Sequence, residues 1–146
     1  MTGTIAVDFD GVIHTYERGW ADGTIYGDFK PDAIEALTVL MNRYAVFIHT
    51  TRNPDQVARW IEDRMMHHIE CTTRMTPLLP SWWKWGKKHT FWNERGVLLV
   101  TDRKLPALAY IDDRAVHFTD WRQAMRELTA RGHDAPMLTE APEEDQ

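Results

Sequence analysis

The sequence lacks the features that mark disulfide-bonded, membrane-spanning and strongly basic proteins. Cys71 is the only cysteine among 146 residues, so the chain cannot form an internal disulfide and nothing indicates an oxidising compartment. No apolar run approaches the roughly 20 residues that a bilayer-spanning helix needs, and the N-terminal run meets an acid at Asp8, unlike a secretory signal. A net charge of -5 argues against a general nucleic-acid binder with a basic face. We therefore expect a cytoplasmic globular protein with no membrane partner, and its oligomeric state stays open.

The acidic residues are unevenly distributed along the chain. Four of them, Glu140, Glu143, Glu144 and Asp145, lie in the last twelve residues, which contain no Lys or Arg. Such a segment is typical of a solvated, disordered tail. The length and the composition fit one domain, so we predict a single domain over residues 1–134, followed by an acidic tail over residues 135–146.

Short apolar runs alternate with amphipathic segments. Buried strands are predicted at residues 4–7, 44–49, 97–100 and 109–111, with a short edge strand at 116–118. Helices are predicted to begin at Pro31, after an Asn53 N-cap and after an Asp120 N-cap, and the last should end at Gly132. Alternating strands and helices indicate an α/β fold, a three-layer Rossmann-like parallel sheet with helices on both faces.

Polar side chains follow the buried runs at the points where the strands end. They are Asp8 and Asp10 after the first run, Thr50 and Thr51 after the second, Lys104 after the third, and Asp112 and Asp113 after the fourth. The carboxyl ends of parallel strands meet at one edge of a sheet, where ligands bind, so these side chains should converge. Four carboxylates so close would repel one another unless a cation shared the site, and hard oxygen ligands suit Mg²⁺.

Four segments together resemble the motifs of the haloacid-dehalogenase (HAD) superfamily, in the family's order. Ile5–Ile13 (IAVDFDGVI) is similar to the first motif, Val46–Arg52 (VFIHTTR) to the second, and Tyr110–Arg114 (YIDDR) to the fourth, while Lys104 lies at the place of the third. The resemblance implies a HAD-like hydrolase of the small phosphatase type without a large cap domain.

The resemblance implies a Mg²⁺-dependent phosphohydrolase that acts through an aspartyl-phosphate. Asp8 would be the nucleophile and Asp10 the general acid and base, with Thr50 binding a phosphoryl oxygen and Lys104 neutralising charge. The metal ligands would be Asp8, Asp10 through its backbone carbonyl, and Asp112, with Asp113 binding through water or orienting the ligand shell. Because Thr50 and Thr51 are adjacent, either could be the second-motif residue, and we prefer Thr50. The acid at position 10 favours phosphate esters over carbon–halogen bonds, since a departing halide needs no proton.

The substrate is less well determined by the sequence. Residues 14–30 are long enough only for a flap, so the site should be open, with Gly11, His14, Thr51 and Arg52 as substrate-binding candidates. Tyr16, Trp20 and Tyr26 also lie on the flap and either contact substrate or pack within it. A Trp- and Lys-rich insertion over residues 70–95 either stacks nucleic-acid bases or fills the core.

The expected substrate is a phosphorylated small molecule or nucleotide, and we prefer a nucleotide or nucleic-acid-end phosphomonoester. Three alternatives stay open: a phosphatase for another small phosphate ester, a phosphotransferase, and a catalytically silent HAD-like binding module.

Overall fold

The structure is a computed structural model that describes residues 3–65, 68–74, 92–93 and 95–139. The Trp- and Lys-rich residues 81–89 and the acidic residues 140–146 lie outside the described residues. The chain forms two compact units, Met1–Asp113 and Arg114–Gln146, which we describe separately. The predicted domain boundaries stay a prediction.

The first unit is built on a five-stranded sheet in which every strand pair is parallel. In chain order the strands are β1 (Thr4–Asp8), β2 (Ala45–His49), β3 (Cys71–Thr72), β4 (Leu98–Thr101) and β5 (Ala109–Ile111). They lie in the order β3-β4-β2-β1-β5. This arrangement confirms the predicted α/β Rossmann-like fold. The two-residue β3 was not predicted because it is too short to show an apolar period. The predicted edge strand at 116–118 is wrong, since those residues, all described, form no strand.

Two helices of the first unit pack on the same face of the sheet. Helices α1 (Ala33–Arg43) and α2 (Pro54–Arg64) contribute Leu37, Val57 and Ile61 to one core with the odd-numbered side chains of β1. The opposite face carries a smaller cluster of Ala6, Phe47 and Leu99, against which the segment between β4 and β5 packs. Only seven residues separate those two strands, too few to form a covering helix. Within the described part of this unit, the predicted helix layer on both faces is therefore a layer on one face.

The helix starts differ in how well the sequence predicted them. Asn53 caps α2 as expected, accepting hydrogen bonds from the N–H groups of Asp55 (2.9 Å) and Gln56 (3.3 Å). Helix α1 begins at Ala33, two residues after the predicted Pro31, because Asp32 adopts a left-handed conformation (φ 66°). A left-handed residue cannot continue a right-handed helix, so it delays the start.

The second unit contains helix α3 (Trp121–Ala130). The Asp120 side chain accepts the N–H of Gln123 at 2.9 Å, and this bond holds the pKa of Asp120 below its usual value. Gly132 (φ 87°) donates to Thr129 and His133 donates to Leu128, the two bonds of a Schellman ending. Both predicted ends of α3 are confirmed. In the part of the chain that the structure describes, no helix is both long enough and apolar enough to cross a bilayer.

Candidate functional site

Three carboxylates converge where β1 and β5 end. Asp8 is the last residue of β1, and Asp112 and Asp113 directly follow β5, the parallel neighbour of β1. One oxygen from each residue lies within 4.8 Å of one from each of the others. The sequence analysis predicted this convergence, because adjacent parallel strands bring their carboxyl ends together.

Asp8 is the half-buried member of this acidic cluster. Burial raises its pKa from 3.8 to about 6, and the charges of Asp112, Asp113 and Asp10 push the pKa in the same direction. The N–H of Phe9 donates to Asp8 Oδ1 at 2.9 Å and opposes the rise. Ionising Asp8 near neutral pH therefore costs free energy in the metal-free protein.

Gly11 lies directly against the acidic cluster. Its backbone is left-handed (φ 81°), and a Cβ at this position would overlap Asp113 Oδ2. Its N–H donates to the carbonyl of His14 at 2.8 Å, which closes the turn after β1. Both the left-handed backbone and the lack of space for a Cβ therefore require glycine at position 11. Substrate binding by Gly11 stays a prediction.

Asp10 is bound to two buried basic side chains. Its Oδ2 accepts from Arg52 Nε at 2.9 Å, and its Oδ1 accepts from Arg52 Nε at 3.1 Å and lies 2.9 Å from His14 Nδ1. The Asp10 side chain is only 16% exposed. The sequence places Asp10 beside Asp8, but the interactions that hold its carboxylate come from residues 4 and 42 positions away.

The buried partners also reach the flap. His14 is completely buried (0% exposed), and its Nε2 accepts the N–H of Gly27 at 2.9 Å. Arg52 is 2% exposed and donates from Nη1 to the carbonyl of Gly23 at 2.6 Å. His14 therefore has no exposed surface with which to touch a substrate in this structure, and substrate contacts by either residue stay predictions.

Aromatic side chains of the flap cover the Arg52 guanidinium. The guanidinium carbon lies 4.6 Å from the ring centroid of Trp20, which is half exposed, and 5.7 Å from that of Tyr16. Arg52 Nη2 is buried and has no hydrogen-bond partner among the described residues. Tyr26 secures the flap itself, because its hydroxyl bonds both Gly19 O and the N–H of Arg18.

Thr50 is the hydroxyl residue at the end of β2. It is 1% exposed, and its Oγ1 accepts the N–H of Arg52 at 3.0 Å, which leaves the hydroxyl hydrogen available for donation. Thr51 is exposed. The choice of Thr50 over Thr51 and its role in binding a phosphoryl oxygen stay predictions.

The same local turn ends three neighbouring strands, which the sequence analysis did not notice. Thr72, the last residue of β3, accepts the N–H of Arg74 at 3.3 Å, and Thr101, the last residue of β4, accepts that of Arg103 at 3.1 Å, as Thr50 directly after β2 does for Arg52. The shared signal is Thr-x-Arg at the end of an apolar run. It places three arginines at the edge where the acidic cluster lies.

Lys104 lies in the exposed loop between β4 and β5. Its Nζ is 5.4 Å from the ring centroid of Tyr110, a cation–π contact. Among the described residues no salt bridge joins Lys104 to Asp8. The structure thus brings together Asp8, Asp112 and Asp113, links Asp10 to His14 and Arg52, and places Lys104 against the ring of Tyr110.

Comparison with known proteins leaves the family open. No protein-family model matches the sequence, and no curated protein matches it. Among solved structures, a conserved protein from Bacteroides thetaiotaomicron is similar, with 25% identity over 92% of this chain and 94% of that chain and a TM-score of 0.45. So distant a likeness carries no argument about fold or activity.

Proposed function

We propose that this protein is a Mg²⁺-dependent phosphohydrolase of the HAD type that forms an aspartyl-phosphate on Asp8. The observation that carries the proposal is the convergence of Asp8, Asp112 and Asp113 within 4.8 Å at one sheet edge. Thr50 directly follows the adjacent strand β2, and Asp10 lies two residues beyond the nucleophile. Both acids after β5, Asp112 and Asp113, belong to this cluster. A reaction that used the Asp8 carboxylate alone would give them no role.

The reaction would proceed in two balanced steps. In the first, an Asp8 carboxylate oxygen attacks phosphorus, the bond to the leaving oxygen breaks, and that oxygen takes a proton from Asp10. In the second, water attacks the phosphorus of the aspartyl-phosphate and gives a proton to Asp10. The bond to Asp8 then breaks and inorganic phosphate leaves. Thr50 would donate its hydroxyl hydrogen to a phosphoryl oxygen in both steps.

The acidic cluster has a donor set that fits Mg²⁺. Three carboxylates supply hard oxygen ligands. Burial is the main cause of the raised pKa of Asp8, and a bound cation would relieve the further rise that the charges of the neighbouring carboxylates cause. Asp8 and Asp112 would hold the ion, with Asp113 held in place against Gly11. When bound, Mg²⁺ supplies charge neutralisation for the phosphoryl group. The backbone carbonyl of Asp10 and the ammonium of Lys104 keep their proposed roles as ligand and charge neutraliser.

Two adjoining features support a nucleotide or nucleic-acid end as the substrate. Arg74 and Arg103 follow strands β3 and β4 at the edge where Asp8 lies, and both are exposed. Arginine binds phosphate groups strongly, so these two positions could hold further phosphates of one chain. The half-exposed ring of Trp20 lies over Arg52 and offers a surface on which a base could stack.

Hydrolysis of p-nitrophenyl phosphate with Mg²⁺ tests the activity. Wild type should turn over, and Asp8→Asn should lose essentially all activity while keeping its circular dichroism spectrum. Asp28→Asn, which removes an exposed flap carboxylate, is the matched control and should stay active. A phosphoenzyme should be trapped on Asp8 by mass spectrometry. Absence of turnover with every ester, together with absence of a beryllofluoride adduct, would leave the silent binding module as the better reading.

The substrate class needs a separate experiment. If the arginines bind the backbone, a 3′-phosphorylated oligonucleotide should have a lower KM than the mononucleotide, and that KM should rise with salt. Arg103→Gln and Arg74→Gln should each weaken this dependence. Arg43→Gln removes the same charge from the end of α1, at the opposite edge of the sheet, and should leave the salt dependence of the KM unchanged. Equal KM values for the oligonucleotide and the mononucleotide would contradict a nucleic-acid end as the substrate. Phosphate transfer to added glycerol would reveal a phosphotransferase.

A further inference from the structure

We infer that His14 is a positioning residue for the general acid Asp10 rather than a substrate contact. This inference rests on the proposed function, since Asp10 needs a fixed orientation only if it transfers a proton. It concerns a side chain that is completely buried and that uses both of its ring nitrogens. Each nitrogen faces a different part of the molecule.

The tautomer of His14 follows from its partners. A backbone N–H can only donate, so the N–H of Gly27 requires that Nε2 act as an acceptor. The ring hydrogen must then reside on Nδ1, 2.9 Å from Asp10 Oδ1. His14 therefore donates a hydrogen bond to Asp10 and accepts one from the flap. Because a neutral imidazole carries a single ring hydrogen, the direction of one bond determines the direction of the other.

The surroundings hold the ring in a single orientation. It stacks on Phe9 at 5.5 Å between centroids and 13° between planes, and it meets the edge of Trp60 at 5.7 Å. A Cβ on Gly27 would overlap Thr15 Oγ1 and lie 2.7 Å from His14 Nε2, so the donor must come from a glycine. The ring cannot flip without losing both hydrogen bonds.

The bond to His14 distinguishes the two oxygens of Asp10. The two oxygens share the single Nε hydrogen of Arg52, and Oδ1 alone also receives the Nδ1 hydrogen of His14. A carboxylate oxygen has two acceptor positions, so Oδ2 retains one for the proton that passes to the leaving group. Without the donor on His14 the two oxygens become more nearly equivalent, and the acid loses its fixed direction.

Two substitutions separate the two bonds of His14. In His14→Asn, the side-chain amide NH₂ takes the place of Nδ1, which keeps the donor to Asp10 and removes the acceptor for Gly27. In His14→Gln, the amide oxygen reaches the place of Nε2, which keeps the flap bond and removes the donor to Asp10. Tyr26→Phe, which deletes the hydroxyl that bonds Gly19 and Arg18, loosens the flap without touching Asp10.

The measurement is kcat/KM for aryl and alkyl phosphates of increasing leaving-group pKa. General acid catalysis contributes about 10²–10⁴-fold, so His14→Gln should lose roughly 10–100-fold on alkyl phosphates and under about 3-fold on p-nitrophenyl phosphate. His14→Asn and Tyr26→Phe should keep the wild-type slope, although their overall rates fall. In an Asp10→Asn background, His14→Gln should add no further loss. Equal losses on every ester would overturn the positioning role.

The tautomer gives a test that needs no variant and no activity. Long-range ¹H–¹⁵N correlation of the folded wild type should show the His14 ring hydrogen on Nδ1. A ring hydrogen on Nε2 would overturn the inference even if neither variant folded. Absence of turnover by wild type on the whole ester series would instead contradict the proposed function, so the two failures are distinguishable.

Discussion

At the scale of single residues, the site brings together carboxylates that repel one another when they are ionised. Asp8, Asp112 and Asp113 crowd three carboxylates within 4.8 Å, and Asp8 is half-buried as well. Arrangements of this kind raise the free energy of the metal-free fold, and they are common where a ligand supplies the missing charge.

Asp8→Asn should stabilise the metal-free protein at pH 7.5. The folded pKa, about 6, exceeds the unfolded 3.8, so the stability contributed by Asp8 is greatest below pH 3.8 and is lost as pH rises through 6. With allowance for solvent screening, the neutral amide should gain about 1–2 kcal/mol at pH 7.5 and nothing near pH 3.5. Chemical denaturation with EDTA measures this gain. A gain that was the same at both pH values would contradict the raised pKa.

Gly11→Ala should destabilise the protein more than Gly19→Ala does. Both glycines have positive φ (81° and 65°), but only a Cβ at position 11 meets another group, the Asp113 carboxylate. Backbone strain alone should cost about 1 kcal/mol at either site. Displacement of Asp113 should add to that cost and weaken Mg²⁺ binding in the Gly11 variant only. Calorimetric titration with Mg²⁺ provides the readout, and equal affinities in the two variants would disprove the contact.

At the scale of elements, the turns after the strands decide what reaches the site. Thr50, Thr72 and Thr101 each accept the N–H of the arginine two residues on, which ends the strand and turns the chain at the same edge. The Asn53 cap then starts α2 immediately after Arg52. Arg52 thus lies between a hydroxyl turn and a helix cap, and its backbone is held on both sides.

Asn53→Ala should lower stability by about 1 kcal/mol, the usual cost of a lost N-cap. Its side chain accepts two backbone hydrogen bonds, whereas the Asp32 side chain before α1 accepts none from the helix. Asp32→Asn keeps a residue that tolerates the left-handed conformation and should change stability by less than about 0.5 kcal/mol. Urea denaturation of the two variants makes the comparison. A similar loss in both would show that the cap bonds do not stabilise α2.

At the scale of the whole molecule, binding at the acidic cluster should stabilise the fold. A ligand present at 100 times its Kd adds about 2.7 kcal/mol, or roughly 5–10 °C in Tm for a chain of this size. Wild type and Asp28→Asn should show this rise with Mg²⁺ in a thermal melt, while Asp8→Asn and Asp112→Asn should not. A rise of the same size in all four proteins would place the ion elsewhere.

Much of the fold could be read from the sequence because the three inner strands, β1, β2 and β4, are buried on both faces. Runs such as Ala45–His49 therefore appear as continuous apolar segments, and Asn53-Pro54 and Gly132 mark helix ends through their own backbone preferences. The edge strand predicted at 116–118 failed because three residues, Val-His-Phe, carry no information about a pairing partner. The two residues of β3 form a strand only because β4 lies beside them.

The sequence by itself determined which residues end the strands, and hence that Asp8, Asp112 and Asp113 meet, because parallel strands share one edge. Only the tertiary structure decided what binds Asp10. His14 and Arg52 look like flap and turn residues in the sequence, and nothing local predicts that both would be buried against one carboxylate. Hydrogen bonds between residues 42 positions apart depend on how the loops fold over the sheet edge, which local periodicity does not encode.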